Sequence, residues 1–478
     1  MAATIHYDIT DILEYARHHA TLSGIQRVST QLLSHIVSKH GTERLHLIGW
    51  HPIRQRIVSF DASYFAGNYE YNQEDFCRHF GLSRNVIGGP SLKAYLKRKY
   101  GRSWRRPLHH ARLLVANSLT GGRTFERRSI NVEQPQNPPG QMKNGLPSLL
   151  PGDLLFIVGA TWNFDQYLST LAQHRRHNGI TICQFIHDLI PLLASEHVVD
   201  HVPEHFERWL KQLTGNTDCF LTNSQATKAD LDGWLAQNSV DVPTGVLPLA
   251  HQFVDYDRDP SSKPALTNGP IRAHIRNAAR LPYVLCVGSL ESRKNIWTLA
   301  NVWQRIHSRL GISTPRLIFA GNPGWLREDF DDFIRGTGSL NGYIRIIERP
   351  SDAELGYLYS RCLFSVFPSY KEGWGLPVGE SLWFGRPVVC SNTSAMPEVG
   401  GTLADYIDPT SAESIEAGLL RMITDAGYRE RRASDIAGAQ LRTWENVADD
   451  LWDKLNHLSA TRGTEAMVPR QAPSHQFS

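Results

Sequence analysis

Nowhere in this chain of 478 residues does an apolar run approach the roughly 20 residues needed to cross a bilayer. The start, Met1 to Tyr15, lacks the basic stretch and apolar core of a secretory leader, so no leader is expected. Cysteine is scarce and scattered: Cys77, Cys183, Cys219, Cys286, Cys362 and Cys390 form no pair at metal-ligand spacing. They read as reduced core cysteines of a cytoplasmic protein. A net charge of +3 is too small to suggest nucleic acid as a partner. What is present is the balance of a soluble globular protein, 41% hydrophobic and 20% charged. The length fits two domains, each able to bury its own core.

The most informative stretch runs from Phe364 to Gly400. Leu363 to Phe367 is a short apolar run of the kind that forms a buried strand. A loop follows from Pro368 to Pro377, holding Glu372, Gly373, Trp374 and Gly375. Pro377 suits the first turn of a helix through Phe384, and Gly385-Arg386-Pro387 leads into a second strand, Pro387 to Cys390. In an open parallel sheet such a loop lies at the carboxyl end of its strand, where ligands bind. Glycines on both sides of Trp374 let backbone N–H groups approach anionic oxygens. Glu372 and Glu380 are placed to accept hydrogen bonds from hydroxyls. The plainer alternative is a solvated Glu372 and a Glu380 that complements the helix dipole. Sugar and phosphate together fit the stretch better than either alone.

Strand-like and helix-like runs alternate along the rest of the chain, which predicts an α/β fold of two parallel, doubly wound domains. Thr4 to Ile9 is strand-like, and Ser23-Gly24-Ile25-Gln26-Arg27 opens an amphipathic helix with Val28, Leu32, Leu33 and Ile36 on one face. Ser23 is placed either as an ordinary cap or beside an anion or sugar hydroxyl. The strand Ile180 to Ile186 runs straight into His187-Asp188 at the point where a ligand crevice would lie. Ser224 is placed to cap the next helix. In the second half, Val284 to Gly288 is a buried strand, and Arg293-Lys294 stands just ahead of a helix N-terminus. Two cations there are mildly unfavourable, by about 0.3–1 kcal/mol each if exposed, unless an anion joins them. Further strands are expected at 316–320 and 344–347, and a final amphipathic segment carries Val447, Leu451, Leu455 and Leu458.

Residues 91–112 carry eight Lys or Arg with no acidic residue, and Tyr95, Leu96, Tyr100 and Trp104 are interleaved among them. Lys97, Arg98, Lys99, Arg105 and Arg106 make this either a solvated basic surface or a contact for an anionic membrane surface. A Pro/Gly/Gln/Asn-rich loop, 131–152, follows. The expected division is a first domain at 1–255, a connection at 256–280 and a second domain at 281–440. A helix at 441–460 crosses back to the first domain, and a disordered tail spans 461–478.

Glu372-Gly373-Trp374-Gly375-Leu376-Pro377, then Glu380, then Gly385-Arg386-Pro387-Val388, resembles the signature of family-four glycosyltransferases, the glycosyl transferases group 1. Met396-Pro397-Glu398-Val399, the Arg293-Lys294-Asn295 run and the His187-Asp188-Leu189-Ile190-Pro191 wording are similar too, densely from about Tyr283 to Gly400 and patchily before it. Ser289 departs from the pattern, since many members carry arginine directly after the strand glycine. The resemblance implies the GT-B architecture, two Rossmann-like domains facing a cleft. It implies retaining transfer of a hexose from a nucleotide diphosphate sugar, GDP-mannose first and UDP-hexoses next, with no metal or other cofactor. The acceptor it implies is a glycan or lipid-linked glycan of envelope polysaccharide such as O-antigen. The protein would then be cytoplasmic and peripheral on the inner membrane face.

By the same resemblance Arg293 and Lys294 grip the diphosphate together with the backbone of Gly373, Trp374, Gly375 and Leu376. Glu372 contacts the sugar ring, Glu380 the ribose, and His187 positions the sugar. Gly24, Ile25, His187 and Asp188 face the acceptor. The competing readings are a nucleotide-sugar 2-epimerase of the same fold and a non-catalytic sugar- or membrane-binding module.

Overall fold

The computed structural model describes residues 3–51, 54–67, 71–82, 149–254, 256, 258 and 270–465, with side chains as far as residue 460. The basic segment 91–112, the loop 131–152 up to residue 148, the middle of the 256–280 connection and the tail from residue 466 lie outside the described residues.

The first half builds a sheet from β1 (Ile5–Asp8), β2 (Leu45–His51), β3 (Arg56–Phe60), β4 (Leu154–Ile157), β5 (Thr181–Ile186), β6 (Cys219–Thr222) and β7 (Thr244–Val246). Its spatial order is β3-β2-β1-β4-β5-β6-β7. Every pair is parallel except β2 with β3. That exception follows from chain length: only four residues separate His51 from Arg56, and a parallel crossover needs a dozen or more.

The second half builds an all-parallel sheet from β8 (Tyr283–Val287), β9 (Arg316–Gly321), β10 (Ile344–Glu348), β11 (Ser365–Phe367), β12 (Val388–Ser391) and β13 (Asp405–Ile407). Its order is β10-β9-β8-β11-β12-β13. In each sheet the chain winds outward from one strand, returns, and winds out the other way. The reversals fall between β1 and β4 and between β8 and β11. Crevices form at the carboxyl ends of strands at such points.

Strands buried on both faces explain the unbroken apolar runs of the sequence: β1, β4, β5, β8 and β12 have no exposed residue. The helix Gly24–His40 buries Val28, Leu32, Leu33 and Ile36 against the first sheet. The helix Ile296–Leu310 buries Ile296, Leu299, Trp303 and Ile306 against the second. All six cysteines are buried thiols.

The last helix, Trp444–Glu465, packs against the first half of the chain. Lys39 pairs with Glu445 and Asp449, and Arg44 donates to Asn456 at 2.9 Å. The sequence places its end near Ala460 and a disordered tail from 461; the helix in fact continues to Glu465. Once a long helix is nucleated and docked, each added residue gains a backbone hydrogen bond, and nothing before Glu465 stops it.

Candidate active site

Four connections meet where the two sheets face each other: the loop after β11, the turn after β8, the end of β5, and the start of the helix Gly24–His40. Residues from all four line a cleft of about 360 Å³.

The loop after β11 is shaped by its glycines. A Cβ on Gly373 would run into the carbonyl oxygen of His187, across the cleft in the first half of the chain. That close approach is fastened by two hydroxyls of the first half, which donate to the Gly373 carbonyl: Ser224 Oγ at 2.8 Å and Thr227 Oγ1 at 3.2 Å. Gly375 sits at φ 105°, a left-handed conformation that side chains resist, and opens the helix Leu376–Trp383 with Pro377 in its first turn. Gly373 is thus required by contact between the two halves, in addition to any ligand it faces.

Glu372 extends from this loop to the turn after β8. Lys294 Nζ lies 2.5 Å from its Oε1, and Arg293 Nη1 lies 2.9 Å from its Oε2. Arg293 also pairs with Glu291 at 2.7 Å. Burial alone would raise the Glu372 carboxyl, but the charges of Arg293 and Lys294 outweigh it and hold the group down to about 2. The two cations are positioned by a 3-10 turn, Ser292–Lys294, and by Asn295 at φ 57° just before the helix Ile296–Leu310. Asn295 is fixed there by a bond from Nδ2 to the Pro409 carbonyl at 2.8 Å.

His187 and Asp188 follow β5. Nε2 of His187 lies 2.7 Å from the Val158 carbonyl, a bond only an N–H can make, so the neutral ring keeps its lone pair on Nδ1. Burial lowers its pKa to about 4, which favours that neutral form. Asp188 Oδ1 accepts from the Ile190 amide at 3.0 Å. Its carboxyl is pushed up by burial, an effect that Arg293 partly offsets.

Glu380 is buried in the first turns of the helix Leu376–Trp383. It accepts from Tyr359 Oη at 2.9 Å and faces Arg27 Nη1 at 3.5 Å. Arg27 comes from the first half of the chain, 353 residues away, and also pairs with Asp352. Burial raises the Glu380 carboxyl, and Arg27 and Tyr359 counter it.

The structure therefore gathers Arg293, Lys294, Glu372, Gly373, Trp374, Gly375, Leu376, Glu380, His187, Asp188, Gly24 and Ile25 around one cleft. Ser23 is the residue preceding the helix, but it makes no side-chain cap: its hydroxyl bonds Gln26 instead, and Gln26 reaches Asp11 at 2.6 Å. Ser224 does cap its helix, accepting from the Thr227 amide at 2.9 Å. Three contributors escape the sequence reading: Arg27, Asp352 and Thr227. Arg27 stands in the Ser23–Val28 run, but its partners belong to the other sheet, and no local pattern points to them. Ser351 and Glu354 close a reciprocal capping box around Asp352, a spacing visible in the sequence that would have fixed this helix start.

Residues 281–425 match the family described as Glycosyl transferases group 1. Over 165 residues the chain is 36% identical to O-antigen chain mannosyltransferase B of Escherichia coli, covering 34% of this chain and 43% of that protein. Over 336 residues it is 26% identical to the serotype-specific mannosyltransferase WbdA of Escherichia coli, covering 69% of this chain and 40% of that one. The matches thus span less than half the length of these curated relatives. Among solved structures, the sucrose-phosphate synthase of Thermosynechococcus elongatus superposes with a TM-score of 0.56 at 16% identity, covering 96% of this chain and 100% of that one. At that identity the likeness is one of fold. The two facing sheets and the cleft between them give this chain the GT-B fold, and its segment 281–425 is similar to the glycosyl transferases group 1.

Proposed function

We propose that the chain transfers a hexose, mannose first, from a nucleotide diphosphate sugar to a glycan acceptor with retention of anomeric configuration and without a metal ion. The observation that carries this reading is the cluster of Arg293, Lys294 and Glu372 at the mouth between the sheets. Transfer breaks the bond from the anomeric carbon to a phosphate oxygen and forms one to an acceptor oxygen, so negative charge develops on the diphosphate. Fixed N–H donors aimed at that charge stabilise it without having to reorganise.

Arg293 and Lys294 are held in place by Glu372 and Glu291, whose charges balance theirs. The pull on a diphosphate then comes from directed donors rather than from a bare double positive charge. Lys294 still has ammonium protons to offer, because among the described residues its carboxylate bond is to Glu372 alone. Glu372 faces the sugar, Glu380 the ribose, and neutral His187 the sugar hydroxyls. The half around the first sheet, 1–255, takes the acceptor, and the half around the second, 281–440, takes the donor. The mannosyltransferase relatives favour mannose and O-antigen assembly.

Thermal unfolding of the purified protein against a panel of nucleotide sugars tests the donor. GDP-mannose at a hundred times its Kd should stabilise the fold by about 2.7 kcal/mol. Turnover should give a product with the donor's anomeric configuration and survive a chelator. Stabilisation by none of the panel would remove the donor assignment, and a transfer that stops on chelation would remove metal independence.

We also propose that 91–112 attaches the protein to an anionic membrane surface. Each Lys or Arg contributes about 1 kcal/mol there, screened by salt. Replacing Lys97, Arg98, Lys99, Arg105 and Arg106 by Gln should abolish sedimentation with anionic vesicles at low salt and spare transfer to a short soluble acceptor. Sedimentation that persists would sink the assignment.

A further inference from the structure

A second cavity, of about 180 Å³, opens beside the donor cleft and shares Ile25, His187, Asp188 and Arg293 with it. Its lining includes indoles. Trp162 comes from the first half of the chain and Trp325 from the loop after β9 in the second. Trp325 is 43% exposed, unusual for so large an apolar ring, and nothing in the donor reading uses it.

Its loop is nonetheless tied down. The Ser292 amide donates to the Trp325 carbonyl at 3.2 Å, and Ser292 Oγ meets His197 Nδ1 at 3.1 Å. His197 in turn stacks on Tyr370, with centroids 5.0 Å apart and planes at 6°. An exposed indole on an anchored loop, in a cavity that also holds carboxylates and adjoins the donor cleft, is a surface for a sugar ring. The ring's C–H face lies on the indole, and its hydroxyls donate to the carboxylates.

The volume is below the roughly 300–1,000 Å³ of sites for drug-sized ligands, and so suits a single ring. The charges set a second limit. Arg293 already has Glu291 and Glu372 as partners. Burial lowers the pKa of both His187 and His197, which favours their neutral forms. Asp188 and Glu291 remain as the acidic lining groups. An anionic sugar would meet these carboxylates, and Arg293, the cation among the described lining residues, is shared among Glu291, Glu372, the Lys371 carbonyl and, in the transfer reading, the donor diphosphate.

We propose that this cavity holds the terminal unit of the acceptor, a neutral hexopyranose, with one ring face on Trp325 and a hydroxyl turned toward Asp188 and the donor cleft. The proposal rests on the transfer reading, but its test is separable. Calorimetric titration of the full chain, without donor, compares mannotetraose with the same glycan capped by a uronic acid. Titration with GDP and UDP reports the donor site and the fold of each variant.

The wild type should bind the neutral glycan at least about tenfold more tightly than the capped one. Trp325→Ala should weaken the neutral glycan about tenfold or more, with Trp325→Phe in between and nucleotide affinity unchanged in both. Equal affinity in Trp325→Ala and wild type, preference for the capped glycan, or no glycan binding at all would each overturn the proposal. Failure of the wild type to bind either nucleotide, with the glycan results as expected, would instead count against the donor reading and leave the cavity standing.

Discussion

Arg293→Ala should lower kcat by about 10²–10³, the usual effect of removing one preorganised donor from a developing oxyanion. The structure adds a cost that the sequence does not show. Arg293, Glu291 and Glu372 are largely buried, and removing one member of such a set leaves charges without partners. Breaking a buried pair in this way costs about 3–5 kcal/mol, and the retained bond from Lys294 to Glu372 should keep the loss near the lower figure.

Loss of activity and loss of fold are therefore entangled in the single variant. Combining Arg293→Ala with Glu291→Gln separates them, because Glu372 keeps Lys294 as its partner and the neutral amide at 291 no longer needs a cation. Thermal unfolding should recover in the double variant, and single-turnover transfer should not. Near wild-type transfer by either variant would remove Arg293 from the phosphate role.

The same cluster shows what was legible and what was not. The strand, loop, helix and second strand between Leu363 and Ser391 could be read locally, since apolar runs bounded by Pro and Gly mark their own ends. That Glu372 meets Arg293 and Lys294 could not be. It depends on β8 and β11 being neighbours, which is a consequence of strand order and lies beyond local pattern. Only the family resemblance brought those residues to one site, and it gave them a ligand rather than each other.

Gly373 illustrates a different limit. Its freedom from a side chain was legible, but the sequence points that freedom at an anion. The structure shows the His187 carbonyl occupying the place of the missing Cβ. The hairpin of β2 and β3 and the extra turn at the end of the last helix are smaller differences of the same kind. Chain length and docking decide them, and both act outside the window in which periodicity is read.

Arg27→Met should raise the KM for donor with little change in kcat, and the rise should depend on pH. Glu380 is buried, and burial pushes its carboxyl up; the nearby guanidinium is the foremost influence restoring the ionised form. Removing an opposite charge at such range shifts a carboxylate by about 1–3 units, here upward. Ribose hydroxyls are donors, so they need the ionised carboxylate as acceptor.

The sign follows directly. As pH falls, more of the variant's Glu380 is protonated and donor binding weakens; as pH rises, the carboxylate ionises and binding recovers. The expected result is a variant KM that is higher at pH 6.5 than at pH 8.5, against a flatter wild-type profile. A ribose contact made equally in ground and transition states affects KM and leaves kcat alone. Arg27→Lys keeps the charge and should restore most of the profile. Asp352→Asn removes the other partner of Arg27 while sparing Glu380, so it should leave the profile flat. If Arg27→Met raises KM equally at both pH values, then Arg27 acts by fastening the two halves of the chain together rather than by keeping Glu380 ionised.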